Sequence, residues 1–153
     1  MNPRRILVAV DFLAADSDEA LALAAMLVAA QGGALVLLHV LAPASSMSGI
    51  VPGARGDRDL DVARDAALAQ LDALARPLRD GGIADVSAIV EIGYPVERIL
   101  DHARLHAIEL IVLGTHGRSG LPRIWMGSVA ELVLRQAPCR VIVVRGPAGA
   151  AHG

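Results

Sequence analysis

The residues with chemistry to offer gather in one late stretch: Gly114-Thr115-His116-Gly117, then nine residues, then Gly127-Ser128. An apolar run, Leu110 to Leu113, leads into it, and a helix-like segment from Val129 to Gln136 follows. A buried strand thus empties into a glycine-punctuated loop that feeds a helix. Glycine lets backbone amides approach a ligand closely. The first amides of a helix lack intrahelical partners and carry partial positive charge. Together these suit an anion such as phosphate. Between Thr115 and Met126 stand His116, Arg118 and Arg123, and no acid. That bias favours a polyphosphate.

Each of these residues also has a plainer reading. Gly114, Gly117 and Gly120 could simply relieve a tight turn after a strand. Ser128-Val129-Ala130-Glu131 has the spacing of a capping box, with serine at the cap and glutamate at N3. A hydroxyl there can cap an empty helix or meet a phosphate in a filled site. Asp11 closes the first apolar run, where it serves either as a turn residue or as a ligand contact. Beside a triphosphate, a lone carboxylate is repulsive unless it bonds base or ribose or holds a metal. His116 has no evident partner as a catalytic base. His102 and His106 lie four apart on a helix, on a face expected to be solvated, with no third metal ligand in view. Cys139 precedes an apolar strand and reads as a small packed hydrophobe.

The elements that must position these residues follow from hydropathy. Ile6–Val10 is a short continuous apolar run, as in a strand covered on both faces. A helix follows over Asp16–Gln31, with Asp16 as a cap, Glu19 three residues on, and Gly32-Gly33 at its end. Its interior is apolar nearly all round, which predicts burial on most sides. Ala34–Leu41 is a second strand. Pro43–Gly56 is rich in small residues and proline and reads as a loop. The second helix runs from about Asp57 towards Asp80, with Leu60, Ala63, Ala67, Leu71, Leu74 and Leu78 inward. Pro77 is expected to kink or end it. Val86–Ile92, a helix opened by Pro95, Leu110–Leu113, the Ser128 helix and Arg140–Val144 complete the series. Strands alternating with helices imply a parallel α/β sheet covered on both sides. Residues 1–146 read as one domain and 147–153 as a flexible tail.

The loop is not a P-loop, which needs Gly-x-x-x-x-Gly-Lys-Ser/Thr, because the chain has no lysine. Nor does Gly-x-Gly-x-x-Gly follow the first strand. Gly114-x-x-Gly117-(nine residues)-Gly127-Ser128 instead resembles the nucleotide motif of the universal stress protein family, in its ATP-binding branch. The likeness runs from Arg5-Ile-Leu-Val-Ala-Val-Asp-Phe12 to Val141-Ile-Val-Val-Arg145. It implies an open five-stranded parallel sheet of order 3-2-1-4-5 with helices on both faces, a Rossmann-like nucleotide-binding fold. Strands 1 and 4 are then neighbours whose chains depart in opposite directions, and their carboxyl ends form a crevice. The resemblance implies a bound ATP, with Mg. Ala9 and Asp11 lie near the nucleotide, and the main chain of Val40 reads the adenine edge. Gly114 lies by the ribose. Gly117, Gly127 and Ser128 meet the phosphates, within amides that run over Thr115, His116, Gly117, Arg118, Ser119 and Gly120 and over Gly127, Ser128, Val129 and Ala130. Where the family often has serine shortly after the aspartate, this chain has Leu13.

At 153 residues, 54% hydrophobic and 20% charged, the chain can bury a substantial core. Only three residues are aromatic, so Ala, Val, Leu and Ile must build it. A net charge of −2 gives no reason to expect nucleic-acid or membrane binding. One cysteine cannot form an internal disulfide, which fits a reducing cytoplasm. The first apolar run is too short for a signal peptide or a membrane span. As an edge strand, Val141-Ile142-Val143-Val144 invites pairing across a twofold axis, and the resemblance likewise implies a homodimer. The leading expectation is an ATP-responsive regulatory or protective module in stress response, in which nucleotide orders Thr115–Met126 and changes a surface that a protein partner reads. The alternatives are a slow ATPase or autophosphorylating enzyme, and a nucleotide-free interaction protein of the same fold.

Overall fold

The computed structural model describes residues 4–12, 16–42, 56–115 and 127–145. The elements run β1 (Arg5–Ala9), α1 (Asp16–Gln31), β2 (Ala34–Leu41), α2 (Gly56–Asp80), β3 (Asp85–Ile92), α3 (Pro95–Leu105), β4 (Leu110–Gly114), α4 (Ser128–Gln136) and β5 (Arg140–Val144). The strands form one sheet in the order β3-β2-β1-β4-β5. All four pairings are parallel. The expected architecture and strand order are therefore those found.

Alternation along each strand divides the core in two. Ile6, Val8, Val10, Leu35, Leu37 and Val112 face α1 and α2, which contribute Ala20, Leu21, Ala24, Val28, Ala67, Leu71 and Ala75. Leu7, Val36, Leu38, Ile111 and Leu113 face α3 and α4, which contribute Ile99, Leu100, Ala103, Ala130 and Val133. Strands buried on both faces need the continuous apolar runs read from the sequence. The turn into β2 depends on Gly33, whose φ of +121° is a left-handed value, and a Cβ there would collide with the Arg4 carbonyl.

Three local expectations need amending. Helix α1 is not buried on most sides: Ala22, Met26, Ala29 and Ala30 are exposed, Met26 at 61%. Alanine is a helix former whatever its surroundings, so its density on α1 does not report burial. Pro77 does not end α2, which continues through Asp80. Three more residues, Leu78, Arg79 and Asp80, follow before Gly81 N–H bonds the Pro77 carbonyl, so the proline sits in the last turn of the helix. Ala63 is exposed, and Ala75 takes a core place instead. The loop expected over Pro43–Gly56 lies, apart from Gly56 at the start of α2, outside the described residues.

Candidate functional site

Helix α1 leaves β1 towards one face of the sheet, and α4 follows β4 on the other. β1 and β4 are neighbours, so their carboxyl ends splay apart. This is the topological switch point at which open α/β sheets bind ligands.

The β1 side supplies Ala9, the half-buried last residue of the strand, and Asp11, half-buried just beyond it. The Asp11 N–H donates to Ser17 Oγ at 2.8 Å. Val40 lies next to β1 near the end of β2, half-buried, with Glu91 opposite it on β3. Asp11 and Val40 are brought to one end of the sheet, because Val10 N–H bonds the Leu38 carbonyl at 2.8 Å.

The β4 side supplies Gly114 and Thr115. Gly114 has an explanation the sequence did not offer. A Cβ built on it would collide with Asp16 Cβ and lie 3.3 and 3.4 Å from the Asp16 carbonyl carbon and Cα. Its bareness lets the first turn of α1 pack on the end of β4. Thr115 is buried, and three of its polar groups are engaged. Its N–H donates to the Val144 carbonyl at 2.9 Å, and its carbonyl accepts from Gly127 N–H at 2.5 Å. Its hydroxyl donates to Asp16 Oδ2 at 2.9 Å.

Gly127, half-buried, is the N-cap of α4, with φ −58° and ψ 150°. Ser128 is the first helical residue, exposed, and no side chain caps this end. The capping-box reading is thereby corrected: with the cap at Gly127, Glu131 falls at the fourth helical position, one beyond the reach that motif needs. Glu131 instead pairs with Arg135 at 2.9 Å. The Gly127–Thr115 bond sets the direction in which the chain enters the helix, and so shifts the frame by one. The amides of Ser128, Val129 and Ala130 precede the first intrahelical bond, from Glu131 N–H to the Gly127 carbonyl. Val129 is half-buried and Ala130 fully buried. His116, Gly117, Arg118, Ser119 and Gly120 lie outside the described residues.

Asp16, too, was expected to cap α1. It is the first residue of the helix, 7% exposed, and its carboxylate is committed to Thr115. Three members of this region escaped sequence reasoning: Asp16 in that role, Ser17, and His39. His39 did leave a signal, being a polar residue inside the apolar run Ala34–Leu41.

The histidine pair on α3 also differs from expectation. His102 is buried, not solvated, with Nδ1 3.2 Å from Glu91 Oε1 and its ring 4.2 Å from that of His106. Burial pushes its pKa below the usual 6.5, reinforced by His106 and opposed by the bond to Glu91. Cys139 packs against the α3/α4 core, and burial raises its thiol pKa. Among the described residues, no cluster of three His, Cys, Asp or Glu side chains could hold a metal ion. Among them, no helix is long and apolar enough to cross a membrane.

Comparison with known proteins agrees with this geometry. The chain is 32% identical to universal stress protein YxiE of Bacillus subtilis over 135 residues, 84% of this chain and 90% of that protein. It is 47% identical to universal stress protein MJ0531 of Methanocaldococcus jannaschii over 55 residues, which span only 32% of that relative. The solved structure of UspA from Lactobacillus plantarum is 29% identical, with a TM-score of 0.76 over 95% of this chain and 99% of that one. An Archaeoglobus fulgidus universal stress protein in complex with dAMP is 24% identical, with a TM-score of 0.66 over 94% and 99%. Residues 2–145 match the Universal stress protein family, and the chain belongs to that family.

Proposed function

We propose that this protein binds ATP, with Mg, at the ends of β1 and β4, and acts as a nucleotide-responsive module in stress response. The observation that supports the reading is that Asp11 lies just beyond β1, while the first amides of α4 are tied to the end of neighbouring β4 through the Gly127–Thr115 bond. Those amides suit phosphate oxygens. Asp11 suits the polar hydrogens of ribose or base. Val40 supplies main-chain groups, and Ala9 and Gly114 supply small surfaces. Residues 116–120 extend the amide set. Relatives of the same fold carrying dAMP, cAMP and AMP support an adenine nucleotide as the ligand class. Mg would ride on the phosphates, since it keeps most of its waters and needs only one or two protein carboxylates. β5 pairs with β4 on one side, and Val141–Val144 are half-buried. Covering the other edge with a second copy gives a cytoplasmic homodimer.

The test is the thermal midpoint with and without Mg-ATP, with GTP and Gly127→Asp as controls. At about a hundred times its dissociation constant, ATP adds about 2.7 kcal/mol. Aspartate is a favourable N-cap, and the φ of Gly127 suits it, so the variant keeps its fold. Its added carboxylate repels phosphate. An ATP-selective rise, lost in the variant, is the expected result. No rise in protein free of co-purified nucleotide overturns the reading.

A further inference from the structure

The ladder between β1 and β2 ends at Ala9 opposite Leu38. The next peptide unit, Val10–Asp11, has both of its polar groups held by side chains from other elements. Its carbonyl is 2.7 Å from His39 Nδ1, on β2. Its N–H donates to Ser17 Oγ at 2.8 Å, on α1. A carbonyl can only accept, so Nδ1 carries the proton. His39 and Ser17 are each 5% exposed. The His39 ring is packed against Phe12, with centroids 4.5 Å apart. Neither side chain can wander, and each has a fixed partner.

Turning a peptide plane changes ψ of the residue before it and φ of the residue after it. Holding both of its groups therefore fixes the Asp11 N–Cα bond, the axis about which its Cβ is set. We propose that His39 and Ser17 are positioning residues that aim the Asp11 carboxylate into the crevice. The effect on ligand affinity rests on the nucleotide reading above; the clamp itself does not.

Two measurements separate these. The first is ATP affinity by titration calorimetry in the full chain, for wild type, His39→Leu, His39→Asn and Ser17→Ala, each alone and with Asp11→Ala. Leucine keeps bulk without a donor, whereas the asparagine amide places its nitrogen at the position of Nδ1. His39→Leu weakens binding about tenfold, as loss of one well-placed hydrogen bond would. His39→Asn recovers to within about threefold of wild type, still on that single-bond scale. In the Asp11→Ala background the effect of His39→Leu shrinks below about twofold, because coupled residues are not additive. The second measurement is hydrogen exchange at the Asp11 amide without nucleotide. It speeds up in His39→Leu and Ser17→Ala, and recovers in His39→Asn.

If wild type binds no ATP yet Asp11 exchange follows that pattern, the clamp stands and the nucleotide reading falls. If wild type binds ATP and His39→Leu matches it in affinity or in Asp11 exchange, the positioning role is overturned. An undiminished effect of His39→Leu in the Asp11→Ala background also overturns it. A melting curve for each variant identifies any that fail to fold, and His39→Asn then decides the question.

Discussion

The Thr115 hydroxyl donates to the Asp16 carboxylate across 2.9 Å, joining residues 99 apart in sequence. One partner follows the last residue of β4 and the other begins α1. The bond ties the start of α1 to the chain just beyond β4. Asp16 also sits with Asp18 and Glu19 in the first turn of its helix, where negative charge is favoured.

Thr115→Val tests that tie. Valine keeps the shape and removes the donor, leaving a buried carboxylate short of one hydrogen bond. The expected loss is about 1–3 kcal/mol of stability, read from the urea midpoint. Thr115→Ser, which keeps the hydroxyl, should lie close to wild type.

Gly114→Ala is expected to destabilise with or without nucleotide. The new methyl group meets Asp16 Cβ and backbone, so α1 must move. Overpacking of this kind costs about 1–3 kcal/mol. A variant as stable as wild type would show that the packing of α1 on β4 is looser than described.

His102 makes stability depend on pH. Its folded pKa lies below 6.5, chiefly through burial. Below about pH 6.5 the unfolded chain takes up a proton that the folded chain resists. Stability therefore falls as pH drops from there through the folded pKa, then levels off. Urea midpoints between pH 7.5 and 5 should show this fall, and His102→Gln should flatten it. Glu91→Gln should deepen it, because Glu91 acts to raise the His102 pKa.

Ala107→Gly is expected to stabilise. Helix α3 ends in a Schellman arrangement, with Ile108 N–H bonded to the Ala103 carbonyl. Ala107 occupies the left-handed position, at φ +51°. That conformation costs a non-glycine residue about 1–2 kcal/mol. Glycine gives back about 0.5–1 kcal/mol through the freedom of its unfolded state. The balance favours glycine by up to about 1.5 kcal/mol, measurable as a higher denaturation midpoint.

Hydropathy located every strand to within a residue, because strands buried on both faces must be apolar throughout. Their order came from family likeness, since no local pattern says which strand lies beside which. Side-chain commitments were less legible. Asp16 and Ser128 both carry cap-like spacing, but the helices they open are framed by Thr115, just beyond β4, which local spacing cannot see. His102 looked exposed because its i,i+4 partner His106 is polar, but it also meets Glu91 on the edge strand β3, a neighbour that helical spacing cannot show. His39 announced itself as an odd residue in an apolar run. Only the fold shows that its ring reaches the Val10 carbonyl. Residues 116–120, the centre of the sequence argument, lie outside the described structure, and their part in the site rests on motif and family.

The Thr115 carbonyl and the Gly127 N–H meet at 2.5 Å. Residues 115 and 127 are thus held one hydrogen bond apart, which fixes both ends of the segment between them. Its closure is set by β4, β5 and α4, whatever lies between. Doubling the length of such a segment adds only about 0.6 kcal/mol of closure cost. The frame around Thr115 and Gly127 therefore tolerates a change of length between them at little cost in closure entropy.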